Sequence, residues 1–276
     1  MRLSWIANAA QLVRLKNLLL AAAGVAIGGT LALGRPSLTA PLLWAMGSAL
    51  GLGAAGNTAN DLFDVEADRV NRPDRPLPSG TVSRTAALII GGLGGGFGLF
   101  AAWWVGQPVF GIALAALAVM LVYSPALKQH GLLGNLAVAA VASLPLIYGA
   151  AATGGWRAGL VPSALAALLH FAREIVKDLE DVPGDRAAGR RTIPITLGAP
   201  AGFVMAAATL VVFVPVALAP WLAGWYGRRY GLTAIALDAG VCVLIVRLLG
   251  RRLDGARATL KAAMAVGLLA LLWDRL

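Results

Sequence analysis

The 276-residue chain is 59% hydrophobic and only 13% charged, with a mean hydropathy of +0.77. A soluble domain carries about 25% charged residues, so there are too few polar groups here to cover a water-facing globule, and large soluble domains are excluded. One cysteine, Cys242, rules out an internal disulfide, and the basic residues behind the net charge of +10 are scattered between apolar runs, which fits membrane topology and not nucleic-acid binding.

At roughly 20 residues per crossing, nine apolar runs read as membrane-spanning helices. In chain order they cover 17–34, 38–58, 84–105, 108–125, 132–153, 159–176, 198–220, 232–250 and 258–273. Arg14 and Lys16 lead into the first without a cleavable signal pattern. The third holds the run Gly91-Gly92-Leu93-Gly94-Gly95-Gly96, which inside an apolar window reads as a surface for close helix packing. The expectation is an all-α polytopic membrane protein, one domain over 1–276. With the N-terminus inside, 18 of the 23 Lys and Arg fall on the cytoplasmic side and 5 outside, so the positive-inside rule places the N-terminus in the cytoplasm. Arg251 and Arg252 are read as purely topological, His130 as a loop residue and His170 as packing.

The acids are not scattered. Ten of the thirteen lie in two short segments, one after the second span and one after the sixth. Asp61, Asp64 and Asp68 stand at i, i+3 and i+7, and Asp178, Asp181 and Asp185 repeat that spacing 117 residues later. On a helix these intervals put three carboxylates on one face, where they repel. One such cluster is an ordinary solvated face. Two with the same spacing, in a chain this poor in acids, point to a hard divalent cation that relieves the repulsion. Magnesium combines one or two carboxylates with water and substrate phosphates, so two facing triads suit magnesium ions bridged by a diphosphate. Arg69, Arg72 and Arg75 beside the first cluster, and Arg173, Lys177, Arg186, Arg190 and Arg191 beside the second, offer donors for the remaining phosphate oxygens. A secondary transporter would place its acids near the bilayer midplane; these lie at helix ends.

Together these residues resemble the UbiA superfamily of intramembrane prenyltransferases. Asn60-Asp61-Leu62-Phe63-Asp64-Val65-Glu66-Ala67-Asp68 is similar to its first Asp-rich motif, followed by Asn71-Arg72-Pro73 and Arg75-Pro76-Leu77-Pro78-Ser79-Gly80. Lys177-Asp178 with Asp181-Val182-Pro183-Gly184-Asp185 is similar to the second. Tyr123-Ser124-Pro125 with Lys128, and Arg14 with Asn17, match two further signatures. The stretch from Arg173 to Asp185, with Thr192-Ile193-Pro194-Ile195 after it, is most similar to the geranylgeranylglyceryl-phosphate geranylgeranyltransferase branch; chlorophyll synthases carry a similar arrangement, and quinone-precursor prenyltransferases are the alternative.

The resemblance implies nine helices around a central cavity with a cytoplasmic cap. It implies transfer of a prenyl group from a polyprenyl diphosphate to a lipid-like acceptor, with Mg2+ as cofactor. Asn60, Asp61, Asp64, Asp68, Asp178, Asp181 and Asp185 are the implied metal ligands, and Asp64, Asp68, Asp181 and Asp185 the catalytic core. Tyr123, Lys128, Arg72, Arg173 and Lys177 are expected against the donor, and Arg14, Lys16 and Asn17 at the start of the first span. Arg14 and Lys16 are expected to take the acceptor's phosphate. Trp103, Trp104, Phe110 and Tyr123 are candidate groups facing a carbon cation. Membrane lipids are the expected surroundings.

Overall fold

The computed structural model describes residues 2–187 and 189–276, and no strand occurs among them. The helices are α1 (Arg2–Leu12), α2 (Leu15–Leu33), α3 (Ala40–Phe63), α4 (Val65–Asn71), α5 (Arg84–Val105), α6 (Gln107–Tyr123), α7 (Gly131–Ala152), α8 (Leu160–Glu180), α9 (Val182–Ala187), α10 (Ile193–Thr196), α11 (Ala199–Leu222), α12 (Arg228–Leu249) and α13 (Ala256–Trp273). Nine of these are long, and each overlaps one expected span. Seven are long and apolar enough to cross a membrane. The other two are α6, which is apolar but has 17 residues, and α3, whose last turns carry Asn57, Asn60 and Asp61.

Local chemistry sets the starts of these helices. Thr39 caps α3 by accepting from the Leu42 N–H at 3.4 Å, with Pro41 in the first turn. Ser83 does the same for α5, accepting from the Ala86 N–H at 3.1 Å. Side-chain size then decides how closely the helices approach, because lipid supplies little drive for them to associate. Where α2 crosses α7, a Cβ on Gly28 would stand 2.0 Å from the Leu146 carbonyl oxygen, and one on Gly149 would stand 1.8 Å from that of Val25. Backbone meets backbone there. The glycine run of α5 behaves as expected: Gly94, Gly95 and Gly98 pack on α3, while Gly92 and Gly96 face open space.

The two Asp clusters differ from the expected continuous helix face. Asp64 interrupts the chain between α3 and α4 (φ −92°, ψ 3°), and Asp181 does the same between α8 and α9 (φ −94°, ψ 6°). The i to i−4 ladder continues on either side of the break: Asp64 N–H donates to Asn60 O at 3.0 Å and Asp68 N–H to Asp64 O at 2.8 Å. Asp181 to Lys177 and Asp185 to Asp181 repeat the pattern, each at 2.9 Å. Both motifs are therefore kinked helices with the middle aspartate at the kink.

Candidate active site

A cavity of about 1200 Å³ opens among the helices, and every metal- and substrate-binding residue implied by the resemblance lines it. At one end stand the two Asp motifs. Toward the other the wall turns apolar, with Val138, Leu165, Phe213 and Leu271. Asp68 and Asp185 face this one space, as two motifs sharing a ligand require.

The motifs reach one another because their short helices touch. Gly184 of α9 lies against Asn71 of α4 so closely that a Cβ there would stand 1.8 Å from the Asn71 side-chain oxygen. The Pro-Gly-Asp sequence of the second motif thus admits the Asn-Arg-Pro sequence of the first. Arg190 completes the bridge. Its guanidinium donates to Asp185 at 2.7 Å and to Asp64, 126 residues away in the chain, at 3.0 Å.

Each remaining carboxylate has its own partner. Asp64 also pairs with Lys128 and accepts from the Asn60 amide at 3.0 Å, while Asn60 accepts from the Ser124 hydroxyl at 3.0 Å. Asp61 is held by Arg14 at 2.5 Å and by Arg75 at 3.5 Å, and Arg75 reaches Asp68 at 2.5 Å. Arg14 makes its contact from a left-handed backbone (φ 55°, ψ 52°) at the break between α1 and α2. That conformation is uncommon outside glycine and marks a position held by its surroundings. Asp181 stands 3.8 Å from Arg72, and Asp178 accepts from the buried Asn135 amide at 2.9 Å. Glu174 is buried between Arg173 at 2.7 Å and Lys177 at 3.3 Å.

Burial shifts two of these groups outside the spans. It lowers the Lys128 ammonium to about 8, against the opposing pull of Asp64, with Arg190 and Lys177 adding to the drop. It raises the Asp68 carboxyl, against the Arg75 guanidinium, with Asp61 and Asp64 adding to the rise.

These contacts refine two expectations and correct a third. The carboxylate triads are not left to a metal alone, since Arg14, Arg75, Lys128 and Arg190 also pair with them. Among the described residues no three His, Cys, Asp or Glu converge into a ready cage. A dispersed ring of Asp around one cavity still fits magnesium, which keeps several waters and takes its other ligands from substrate phosphates. Arg14, expected at the acceptor's phosphate, lines the cavity and also pairs with Asp61. Trp103 and Trp104, 61% and 64% exposed, lie on the outer surface with Phe110 against Trp103, and only Tyr123 of the four aromatics lines the cavity.

Sequence reasoning missed the bridging roles of Arg75, Arg190, Glu174 and Asn135. It also read His170 as packing, yet His170 lines the cavity and its Nδ1 has no hydrogen-bond partner.

The profile of the UbiA prenyltransferase family matches residues 18–270. The digeranylgeranylglyceryl phosphate synthase of Halobacterium salinarum is 39% identical over 244 residues, 86% of this chain and 84% of that protein. A solved structure of digeranylgeranylglyceryl phosphate synthase in membranes superposes with a TM-score of 0.82 at 25% identity, covering 98% of each chain. A UbiA homolog from Archaeoglobus fulgidus, solved with GPP and Mg2+ bound, superposes with a TM-score of 0.71 at 17% identity, covering 96% of this chain and 99% of that one.

Proposed function

We propose that this chain, which belongs to the UbiA prenyltransferase family, transfers a prenyl group, geranylgeranyl in this reading, from a polyprenyl diphosphate to the free hydroxyl of geranylgeranylglyceryl phosphate. The observation that carries it is the convergence of two Asp motifs, 117 residues apart, on one cavity with an apolar interior. The glycerophosphate acceptor is supported by the likeness to the Halobacterium enzyme. The whole chain, 1–276, works as one unit in the membrane, and its charge bias places the N-terminus and the Asp end in the cytoplasm.

Asp64, Asp68, Asp181 and Asp185, with Asn60, Asp61 and Asp178 beside them, are suited to hold Mg2+. When bound, magnesium neutralises charge on a diphosphate and eases its departure. Arg72, Lys128, Lys177 and Arg190 donate to the remaining phosphate oxygens and stabilise the negative charge that grows as the carbon–oxygen bond breaks. Tyr123 lines the same cavity and would stabilise positive charge at the allylic carbon. The apolar walls admit the prenyl chain and keep water from the cation. The acceptor oxygen then forms the ether bond and its proton is released.

Purified protein given geranylgeranyl diphosphate and a panel of glycerophosphate and aromatic acceptors tests this directly. The ether product should form on the glycerophosphate, stop with EDTA and resume with excess magnesium. Prenylation of an aromatic ring with the glycerophosphate ignored would overturn the acceptor assignment, and metal-independent turnover would overturn the role of the Asp motifs.

A further inference from the structure

Ten Lys and Arg side chains line the cavity, and eight are ion-paired with a carboxylate. The two with no ion-pair partner among the described residues are Lys16 of α2 and Lys261 of α13. A paired cation binds a second anion only by sharing or surrendering its carboxylate. An unpaired one is free to take it.

The two lysines both lie near the start of their helices. Both helices begin at the Asp end: Arg14 reaches Asp61 just before α2, and Arg257 in the first turn of α13 pairs with Glu180 at the end of α8. Toward the far end, Ile27 and Leu31 of α2 share one core cluster with Ala270 and Leu271 of α13. At about 1.5 Å per residue, Lys16 lies about 16–22 Å back from Ile27 and Leu31, and Lys261 about 14–15 Å back from Ala270 and Leu271, so both stand toward the Asp end of the cavity.

Below them the wall is apolar. Lys261, Met264 and Leu268 follow a 3–4 spacing on the cavity face of α13, and Leu20 and Gly24 do so below Lys16. Positive-inside topology does not explain this placement, since Arg251 and Arg252 satisfy that rule while standing off the cavity.

We infer that Lys16 and Lys261 form a second anion subsite, distinct from the diphosphate site, that holds the phosphate of the acceptor while its chain lies along the seam between α2 and α13. A phosphomonoester carried on an apolar chain matches both halves of this surface, two point-charge donors above an apolar track. This inference rests on the glycerophosphate reading above.

The test is steady-state kinetics of the full chain with geranylgeranyl diphosphate and either geranylgeranylglyceryl phosphate or its dephosphorylated alcohol. Lys16→Ala/Lys261→Ala should raise KM for the phosphorylated acceptor on the order of 10- to 100-fold, as loss of hydrogen bonds to a charged group implies. Donor KM should stay within about twofold. Lys16→Arg/Lys261→Arg should restore most of the loss. The alcohol should be a poor substrate for wild type and no poorer for the Ala variant. An unchanged KM for the phosphorylated acceptor, or an equal loss with the alcohol, overturns the subsite and leaves the reaction reading standing. If wild type uses neither glycerol acceptor and prenylates an aromatic ring, the reaction reading falls and the subsite with it.

Discussion

Arg190 pairs with a carboxylate of each Asp motif, Asp64 of the first and Asp185 of the second, so replacing it separates the contribution of this bridge from that of either motif. In Arg190→Met, Asp64 keeps Lys128, but Asp185 is buried and loses the one cation paired with it among the described residues. Leaving one member of a buried pair alone costs about 3–5 kcal/mol, and the lower end applies here because the site opens to the cavity. The larger effect is expected in catalysis. A preorganised donor aimed at developing negative charge contributes about 2.7–4 kcal/mol, which corresponds to roughly 100- to 1000-fold in kcat/KM for the donor. Arg190→Lys supplies one ammonium, which cannot fork to two carboxylates, and should fall between, with a loss of about tenfold. Single-turnover release of diphosphate from labelled donor measures the effect, and size-exclusion profiles in detergent check that each variant is folded. Wild-type rates in Arg190→Lys would refute the claim that bridging both carboxylates matters.

Two further outcomes follow from contacts outside the charged ring. Gly184→Ala should cut turnover at least about tenfold, by forcing α9 off Asn71, and Asn71→Ala in the same chain should recover part of it; no recovery would mean the tight contact is not the cause. Trp103→Leu and Trp104→Leu should leave kcat within about twofold, since both rings face away from the cavity; a large drop in kcat alone would return them to the reaction.

Much of this architecture is written in run lengths and in the placement of acids. Apolar runs of about 20 residues admit few other readings, and carboxylates clustered in a chain with thirteen acids stand out against the apolar background. What could not be read was pairing. Arg75 and Arg190 look in sequence like Arg251 and Arg252, because a positive-inside bias puts cations on one side whether or not they meet an acid. The kink at Asp181 had a signal, since Pro183 lacks the N–H that would continue the helical ladder to the Leu179 carbonyl. The kink at Asp64 had none, as Val65 and Glu66 are ordinary helix residues. The outward turn of Trp103 and Trp104 was hidden for another reason: a helix with lipid on one side and an apolar cavity on the other is hydrophobic all round, so periodicity does not mark its faces.

The central claim is that the two Asp motifs hold one donor diphosphate between them. Magnesium-dependent binding of a non-reactive thiolo analogue of geranylgeranyl diphosphate, measured by calorimetry for wild type, Asp64→Ala, Asp185→Ala and the double variant, tests it most directly. A shared site predicts that each single variant loses nearly as much affinity as the double, giving a large coupling term in the cycle. Losses that simply add, with each single variant retaining an independent magnesium-dependent site, would contradict it.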